Sequence, residues 1–431
     1  MRVVVVLCAL LAVALAGPSP NADVIESLLR DKAWASKFST NVIADALLDV
    51  PGLVQRYNYP VEVHNVQTSD GYILTIHRIP HGRDRNNEPG PRPVVLLMHG
   101  MLSSSADYLV LGPGNSLGYL LAEQGYDVWL GNARGNFYSR RHVSLDPDSK
   151  TDNDFWKFSW EEIGLYDVSA YVDYILDITG QEKLHYVGHS QGGTAFLVLN
   201  SLRPEYNEKF ISFQGLAPAA FFYNNEHSIF NLLAPYEKLI ETTMFRIGFA
   251  EIFRRHPLLT ALGLAGCHEA SPFHPICASV ATNTFGNINA TKLPILLGHS
   301  PAGSSIRQLA HYSQTIRRNV FARFYHDPIT NYLKYGSFTP PPFDMSRVTV
   351  PAYIHYGLAD RETNFRDLYI LADRLSNAIG LFGAERETFT HYDFVWGSDA
   401  KTEIFDRLFE LMRAAEQNDS TFGKMVDNIV N

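Results

Sequence analysis

The stretch LHYVGHSQGGTAF, residues 184–196, decides how the rest of the chain is read. It reads as a buried strand (184–187), a sharp turn (188–192) and the start of a helix from Gly193 onward. The turn holds Gly188-His189-Ser190-Gln191-Gly192, a G-x-S-x-G match. A strand-to-helix turn of this kind holds its serine in a strained backbone conformation, with the hydroxyl standing above the C-terminal edge of the sheet. Glycines two before and two after leave room for neighbouring segments that a Cβ would obstruct. The bare pattern is common; the apolar run before it and the small-residue helix start after it supply the required context. Ser190 is the candidate nucleophile.

With 431 residues the chain has room for one large α/β domain carrying an insertion, or for two domains. Its hydrophobic content of 46% and charged content of 19% are globular values. A formal net charge of −9 argues against nucleic acid as a partner. It leaves open a lipid surface, which apolar area alone can engage. At the N-terminus Arg2 precedes an apolar run (3–15), and Ala14-Leu15-Ala16 offers an A-x-A cleavage site. Residues 1–16 therefore read as a signal peptide, too short to span a membrane, and no later stretch is long and apolar enough to be transmembrane. Secretion, or delivery to the lysosomal lumen, follows. Cys8 leaves with that leader. Cys267 and Cys277 remain, most simply as one disulfide in an oxidising compartment; zinc, with His268 and His274, is the alternative.

Residues 17–50 are polar and helical in pattern, with Val24, Leu28 and Leu29 on one face: a pro-segment or a docking helix. A hairpin is predicted over 61–79 around Ser69-Asp70-Gly71. The run Val94-Val95-Leu96-Leu97-Met98 has the character of a strand buried on both faces. It ends at His99-Gly100-Met101-Leu102, where His99 is either a satisfied turn histidine or a direct participant. A helix (117–125), a strand (126–130), the loop Gly131-Asn132-Ala133-Arg134-Gly135-Asn136 and a helix (163–178) lead into the elbow. Strands alternating with helices imply a parallel sheet. Residues 51–217 form the first part of this core. The alternation lapses over 218–344, read as a helical cap or lid; a helical piece at 243–254 carries Phe245, Phe249, Ile252 and Phe253 on one stripe. Residues 345–431 resume the core with a strand (348–356), a helix (365–375), a last short strand (387–389) and a closing helix (404–414). Asn289 and Asn418 head glycosylation sequons.

A serine hydroxyl needs a base, and the base needs a carboxylate to fix its tautomer. Behind such an elbow the chain order is serine, acid, histidine. His391 sits in a loop just after the last predicted strand, whereas His299, His311 and His326 lie in the insertion and His355 inside a strand. Asp360 lies immediately past a strand end; Asp367, in the following helix, is the fallback acid. The oxyanion needs fixed donors: the N–H of Gln191, and the N–H of Met101 in the loop after 94–98.

Together these motifs resemble the acid lipases, the family of the gastric and lysosomal lipases. The resemblance runs from about residue 59 to 398 through YPVEVHNVQTSDGYILTIHRIP (59–80), HGMLSSSADY (99–108), GYDVWLGNARGN (125–136), DFWKFSWEEIGLYD (154–167), LHYVGHSQGG (184–193), HSPAGSS (299–305) and HYDFVWG (391–397). It implies an α/β-hydrolase fold, a mostly parallel central sheet flanked by helices, with a helical cap between core strands. It also implies a triad of Ser190, Asp360 and His391, oxyanion donors at Gln191 and Met101, and a cap disulfide Cys267–Cys277. The chain departs from the family at Met101 (usually leucine), at Asn364 (usually a second aspartate) and at Gly193 (more often threonine), and the cap over 218–293 matches poorly.

The expected activity is hydrolysis of the carboxylic esters of neutral lipids, triacylglycerols or sterol esters, at an oil–water interface touched by the cap. The chemistry requires no metal or organic cofactor. The nearest rival is a carboxylesterase for short soluble esters; a non-catalytic lipid-binding or storage protein on the same scaffold is the rival of another class. An apolar pocket drawing on Phe245 and Phe249 is predicted.

Overall fold

The computed structural model describes residues 40–88, 90–149, 151–224, 234–267 and 271–417. The leader, the helical pattern at Val24, Leu28 and Leu29, His268 and the Asn418 sequon lie outside them.

Eleven strands form among the described residues: β1 (Glu62–Gln67), β2 (Tyr72–Ile79), β3 (Val94–Met98), β4 (Asp127–Leu130), β5 (Arg141–His142), β6 (Leu184–His189), β7 (Phe210–Leu216), β8 (Glu251–Ile252), β9 (Ser304–Ser305), β10 (Ala352–Tyr356) and β11 (Ala378–Gly383). Nine of them make one sheet in the order β1-β2-β4-β3-β6-β7-β10-β11, with β5 paired to β2; β8 and β9 form a separate antiparallel ladder. From β4 to β11 every neighbouring pair is parallel, while β1, β2 and β5 add an antiparallel edge.

The two faces of the sheet follow from the pleat, which sends successive side chains to opposite sides. In β3, Val94, Leu96 and Met98 join one apolar core with Trp129 and Tyr186, while Val95 and Leu97 join the other with Val128, Leu130 and Val187. All five β3 residues are buried, which is why this run carries no polar alternation. Each side chain so buried contributes about 1.5–3 kcal/mol relative to exposure. The helix Ser169–Thr179 covers one face with Tyr171, Val172 and Ile175, and stops at Gly180 in the left-handed conformation (φ 65°). The helix Asp406–Glu416 covers the other with Leu408, Phe409 and Met412.

Between β7 and β10 the chain is mainly helical. Helices Glu237–Arg246, Pro257–Gly266, His274–Phe285, Leu293–His299, Ile306–Arg318 and Pro328–Tyr335 form the cap. Residues 40–56 pack beneath it: Ala46, Val50, Leu53 and Val54 are buried in the core, and His299 Nε2 bonds the Asp45 carbonyl at 2.7 Å.

Two expectations are corrected. The helix foreseen over 243–254 ends at Arg246, because the chain turns through left-handed Gly248 (φ 80°) and Phe253 (φ 52°) and spends Glu251–Ile252 in β8. The last strand is β11, not 387–389, which is a turn. Two glycines in AIGLFG weaken its apolar signal, yet pairing with β10 supplies the partner a short strand needs.

Candidate active site

The C-terminal ends of the parallel strands bring the candidate residues to one edge. Ser190 follows β6 with φ 52° and ψ −115°, outside the regions comfortable for a residue with a Cβ. Such a conformation costs on the order of 1–3 kcal/mol and persists only where surroundings over-determine it. Here the Ser190 N–H donates to Leu216 O at 2.9 Å, and its carbonyl accepts from Gly193 N and Thr194 N at 2.9 and 3.2 Å. Close packing requires glycine at 192: a Cβ there would stand 2.0 Å from Met98 O at the end of β3.

His391 lies in the loop after β11, and its Nδ1–H donates to Asp360 Oδ2 at 2.8 Å. Asp360, just past β10, is fixed by three further donors. Its Oδ1 accepts from the backbone N–H groups of Glu362 and Thr363, both at 2.8 Å, and its Oδ2 accepts from Thr363 Oγ1, also at 2.8 Å. Burial alone would lower the basicity of the His391 imidazole. The Asp360 charge and hydrogen bond outweigh it, with Glu362 adding, and hold the pKa above the ordinary 6.5.

The main chain of His391 is tied back to the elbow. His189 Nε2–H, one residue before Ser190, donates to His391 O at 2.9 Å, and the two rings stand 4.8 Å apart. Among the described residues the Ser190 hydroxyl itself makes no hydrogen bond, and contacts of this kind often tighten only once substrate binds. The loop of His391 is also anchored to the cap: buried Asp393 accepts from Thr390 N and Asn287 N, both at 2.7 Å, and Tyr392 meets Phe285 edge-on at 5.1 Å.

The loop after β3 packs over Ser190, since a Cβ on Gly100 would lie 3.3 Å from Ser190 Cβ. Among the described residues neither the Met101 nor the Gln191 N–H has an internal acceptor. Leu102 takes a left-handed conformation (φ 65°), and its carbonyl accepts from Ala302 N of the cap at 2.7 Å.

The other candidates are engaged elsewhere. Asp367 accepts from Tyr223 N, Asn224 N and Asn224 Nδ2. His299 serves Asp45 O, His311 lies between Ser159 Oγ and Ala322 O, His355 faces Gln214 in the sheet, and half-buried His326 contacts Lys334. Asn364, where the family pattern has aspartate, caps the helix Phe365–Arg374. Cys267 and Cys277 are joined in a disulfide with Cα atoms 5.4 Å apart, so neither thiolate is left for zinc. Asn289 is exposed, its side chain accepting from Thr291. Phe245 borders a cap cleft of about 400 Å³ that Ser190 and His391 do not line. Sequence reasoning missed Thr363 and His189. The D-x-x-T spacing of Asp360 and Thr363 carried a signal for the first, and nothing in sequence pointed to the second.

A mostly parallel sheet carrying a strained serine elbow, with a histidine–aspartate pair in the loops that follow later strands, defines an α/β-hydrolase. Residues 50–112 match the model of the partial alpha/beta-hydrolase lipase region, and residues 93–222 that of the alpha/beta hydrolase fold. The chain is 39% identical to Lipase 1 of Drosophila melanogaster over 86% of this chain and 81% of that one. It is 37% identical to gastric triacylglycerol lipase of Bos taurus over 85% and 92%, and 34% identical to lipase member K of Mus musculus over 87% and 93%. The chain belongs to the α/β-hydrolase lipase family that includes the gastric triacylglycerol lipases.

Proposed function

We propose that this protein is a secreted or lysosomal serine lipase that hydrolyses carboxylic esters of neutral lipids. The observation that carries the reading is the His391–Asp360 pair, 2.8 Å apart, tied by the His391 carbonyl to His189, the residue preceding the strained Ser190. His391 Nε2 takes the hydroxyl proton as Ser190 Oγ attacks the ester carbonyl. The oxyanion collects on the Met101 and Gln191 N–H groups. His391 then returns the proton to the departing alcohol, and a water molecule activated by the same imidazole releases the fatty acid. Every step uses this chain's own groups, so the mechanism calls for no cofactor.

The lipid assignment rests on the family and on the cap, taken as residues 218–344. Tyr236, Leu239, Ile247, Phe273, Ile276 and Val280 all stand exposed there, an unusual density of apolar surface that suits contact with an oil–water interface. The leader at 1–16 and the disulfide suit an oxidising compartment. Comparing initial rates on emulsified long-chain triacylglycerol with those on a short soluble ester tests the reading. The lipase turns over the emulsion; activity confined to the short ester overturns the lipid assignment.

A further inference from the structure

The loop Gly131–Asn136 follows β4 and, among the described residues, makes no hydrogen bond to Ser190 or His391, yet it is built as a polar device. Arg134, fully buried, sends Nη1 and Nη2 to Asp70 at 2.6 and 2.9 Å and Nε to Asp167 at 2.7 Å, over the face of Tyr72. That fork pins the loop to the β1–β2 turn and to the helical segment before Ser169. What the pinned loop presents is a pair of donors. Ala133 N–H and Asn136 Nδ2 both point at His99 Nε2, each at 3.1 Å.

The orientation of Asn136 follows from its other partners. Tyr138 N–H donates to Asn136 Oδ1 at 3.0 Å, while Asn136 Nδ2 also donates to Asn132 Oδ1 at 2.9 Å. Nδ2 therefore faces His99. With two donors on Nε2, that nitrogen must be the bare one, and the single proton of a neutral ring sits on Nδ1. Burial pushes the His99 imidazole down to about 4, so the ring is neutral at ordinary pH. Nδ1–H donates at 2.7 Å to the carbonyl of Gly100.

That carbonyl belongs to the same planar trans peptide as the N–H of Met101, and in such a unit C=O and N–H point in opposite directions. Holding Gly100 O against the His99 ring therefore aims Met101 N–H away from it. We infer that His99 and Asn136 are positioning residues of the oxyanion site: the donors on the 131–136 loop select the His99 tautomer that aims the Met101 N–H. The inference rests on the proposed serine mechanism and adds a second layer of residues to it. The geometry accounts for a histidine at this turn whose ring makes no contact with the reacting atoms.

Two amide replacements separate the halves of the imidazole. His99→Asn can still donate from the Nδ1 position to Gly100 O and gives up the Nε2 contacts. His99→Gln offers an acceptor near the Nε2 position and gives up the Gly100 contact. On p-nitrophenyl butyrate, kcat of His99→Gln falls about 10- to 100-fold with KM little changed, because a misdirected oxyanion donor acts in the transition state. His99→Asn recovers most of that loss, even where its thermal midpoint is the lower of the two. Affinity for a reversible alkyl boronic acid, a mimic of the tetrahedral intermediate, falls in step with kcat/KM. Asn136→Leu, which removes the side-chain donor from Nε2 and leaves only the Ala133 N–H there, repeats the His99→Gln signature at smaller amplitude. Equal kcat in the two His99 variants, or losses that follow thermal stability alone, overturns the inference. Ser190→Ala separates the layers: residual activity there sinks the serine mechanism, whereas an inactive Ser190→Ala beside a fully active His99→Gln sinks only the positioning role.

Discussion

Two constellations of serine, histidine and carboxylate stand at opposite ends of strand β6. At the C-terminal end are Ser190, His391 and Asp360. At the other, Ser212 Oγ bonds His185 Nδ1 at 2.8 Å and His185 Nε2 meets Glu416 Oε1 at 3.1 Å. By residue type and hydrogen bonding the second is the more complete, since its serine–histidine bond is formed. Its surroundings deny it chemistry. Ser212 is fully buried within β7, paired in register with His185, and its backbone is that of an ordinary strand residue. Ser190 sits partly exposed on a strained elbow beside two main-chain N–H groups that, among the described residues, lack internal acceptors. The carboxylates differ as well. Glu416 is shared with Tyr126 and leaves the His185 pKa lowered, burial outweighing its charge, whereas Asp360 raises that of His391. Side-chain identity alone does not make a catalytic triad; access, strain and unoccupied donors do.

The largest effect that would sharpen this contrast comes from neutralising each acid. Asp360→Asn keeps the shape but leaves His391 without the carboxylate that fixes its tautomer, and kcat/KM on a soluble ester falls about 10⁴-fold. The remaining activity reports on the same imidazole. His391 must be neutral to act as a base, so activity is lost as pH falls through its pKa, above 6.5 in the native protein; in Asp360→Asn that acid limb moves to lower pH. Glu416→Gln leaves kcat/KM and the acid limb unchanged and shows only as altered thermal stability. A pH–rate profile for each variant checks both. A fall in kcat/KM in Glu416→Gln comparable to that in Asp360→Asn breaks the comparison.

A smaller effect is expected from a third acid, Asp107, buried beneath the active edge. Its carboxylate meets Trp396 Nε1 at 3.3 Å and Ser300 Oγ at 3.4 Å, joining the loop after β3, the loop of His391 and the cap. Burial pushes it up to about 6, against lowering by Ser103, Trp396 and Ser300, from an ordinary 3.8. Between those values the native state holds a proton that the unfolded chain has released, so stability falls as pH rises through this window, by up to roughly 3 kcal/mol. Asp107→Asn lacks the titrating proton. Thermal midpoints at pH 4 and pH 7 should show the variant gaining on the native protein at the higher pH. A constant difference between them contradicts this assignment.

What the sequence made legible was local and strongly patterned. The elbow, the hairpin around Asp70-Gly71 and β3 announce themselves through periodicity and glycine placement, and Asp360 through its position just past β10; His391 follows an expected strand at 387–389 that does not form, and lies in the longer loop after β11. The cap was harder because helix and turn there share an apolar composition; Phe249 and Ile252 fit a helical stripe until Gly248 interrupts it. Strand β11 hid behind two glycines. Least legible were contacts between distant segments. Nothing local joins Glu416 to His185, Asp107 to Trp396 or Asn136 to His99, because each pair meets only when the sheet brings its loops to one edge or a helix packs across it.

The central claim is that Ser190, and no other serine, is activated. Treatment with diisopropyl fluorophosphate followed by peptide mapping tests it directly. The account predicts a single adduct on the peptide carrying Ser190, none on the peptide carrying Ser212, and slower labelling in Asp360→Asn. An unmodified Ser190 peptide, or an adduct that persists in Ser190→Ala, contradicts it.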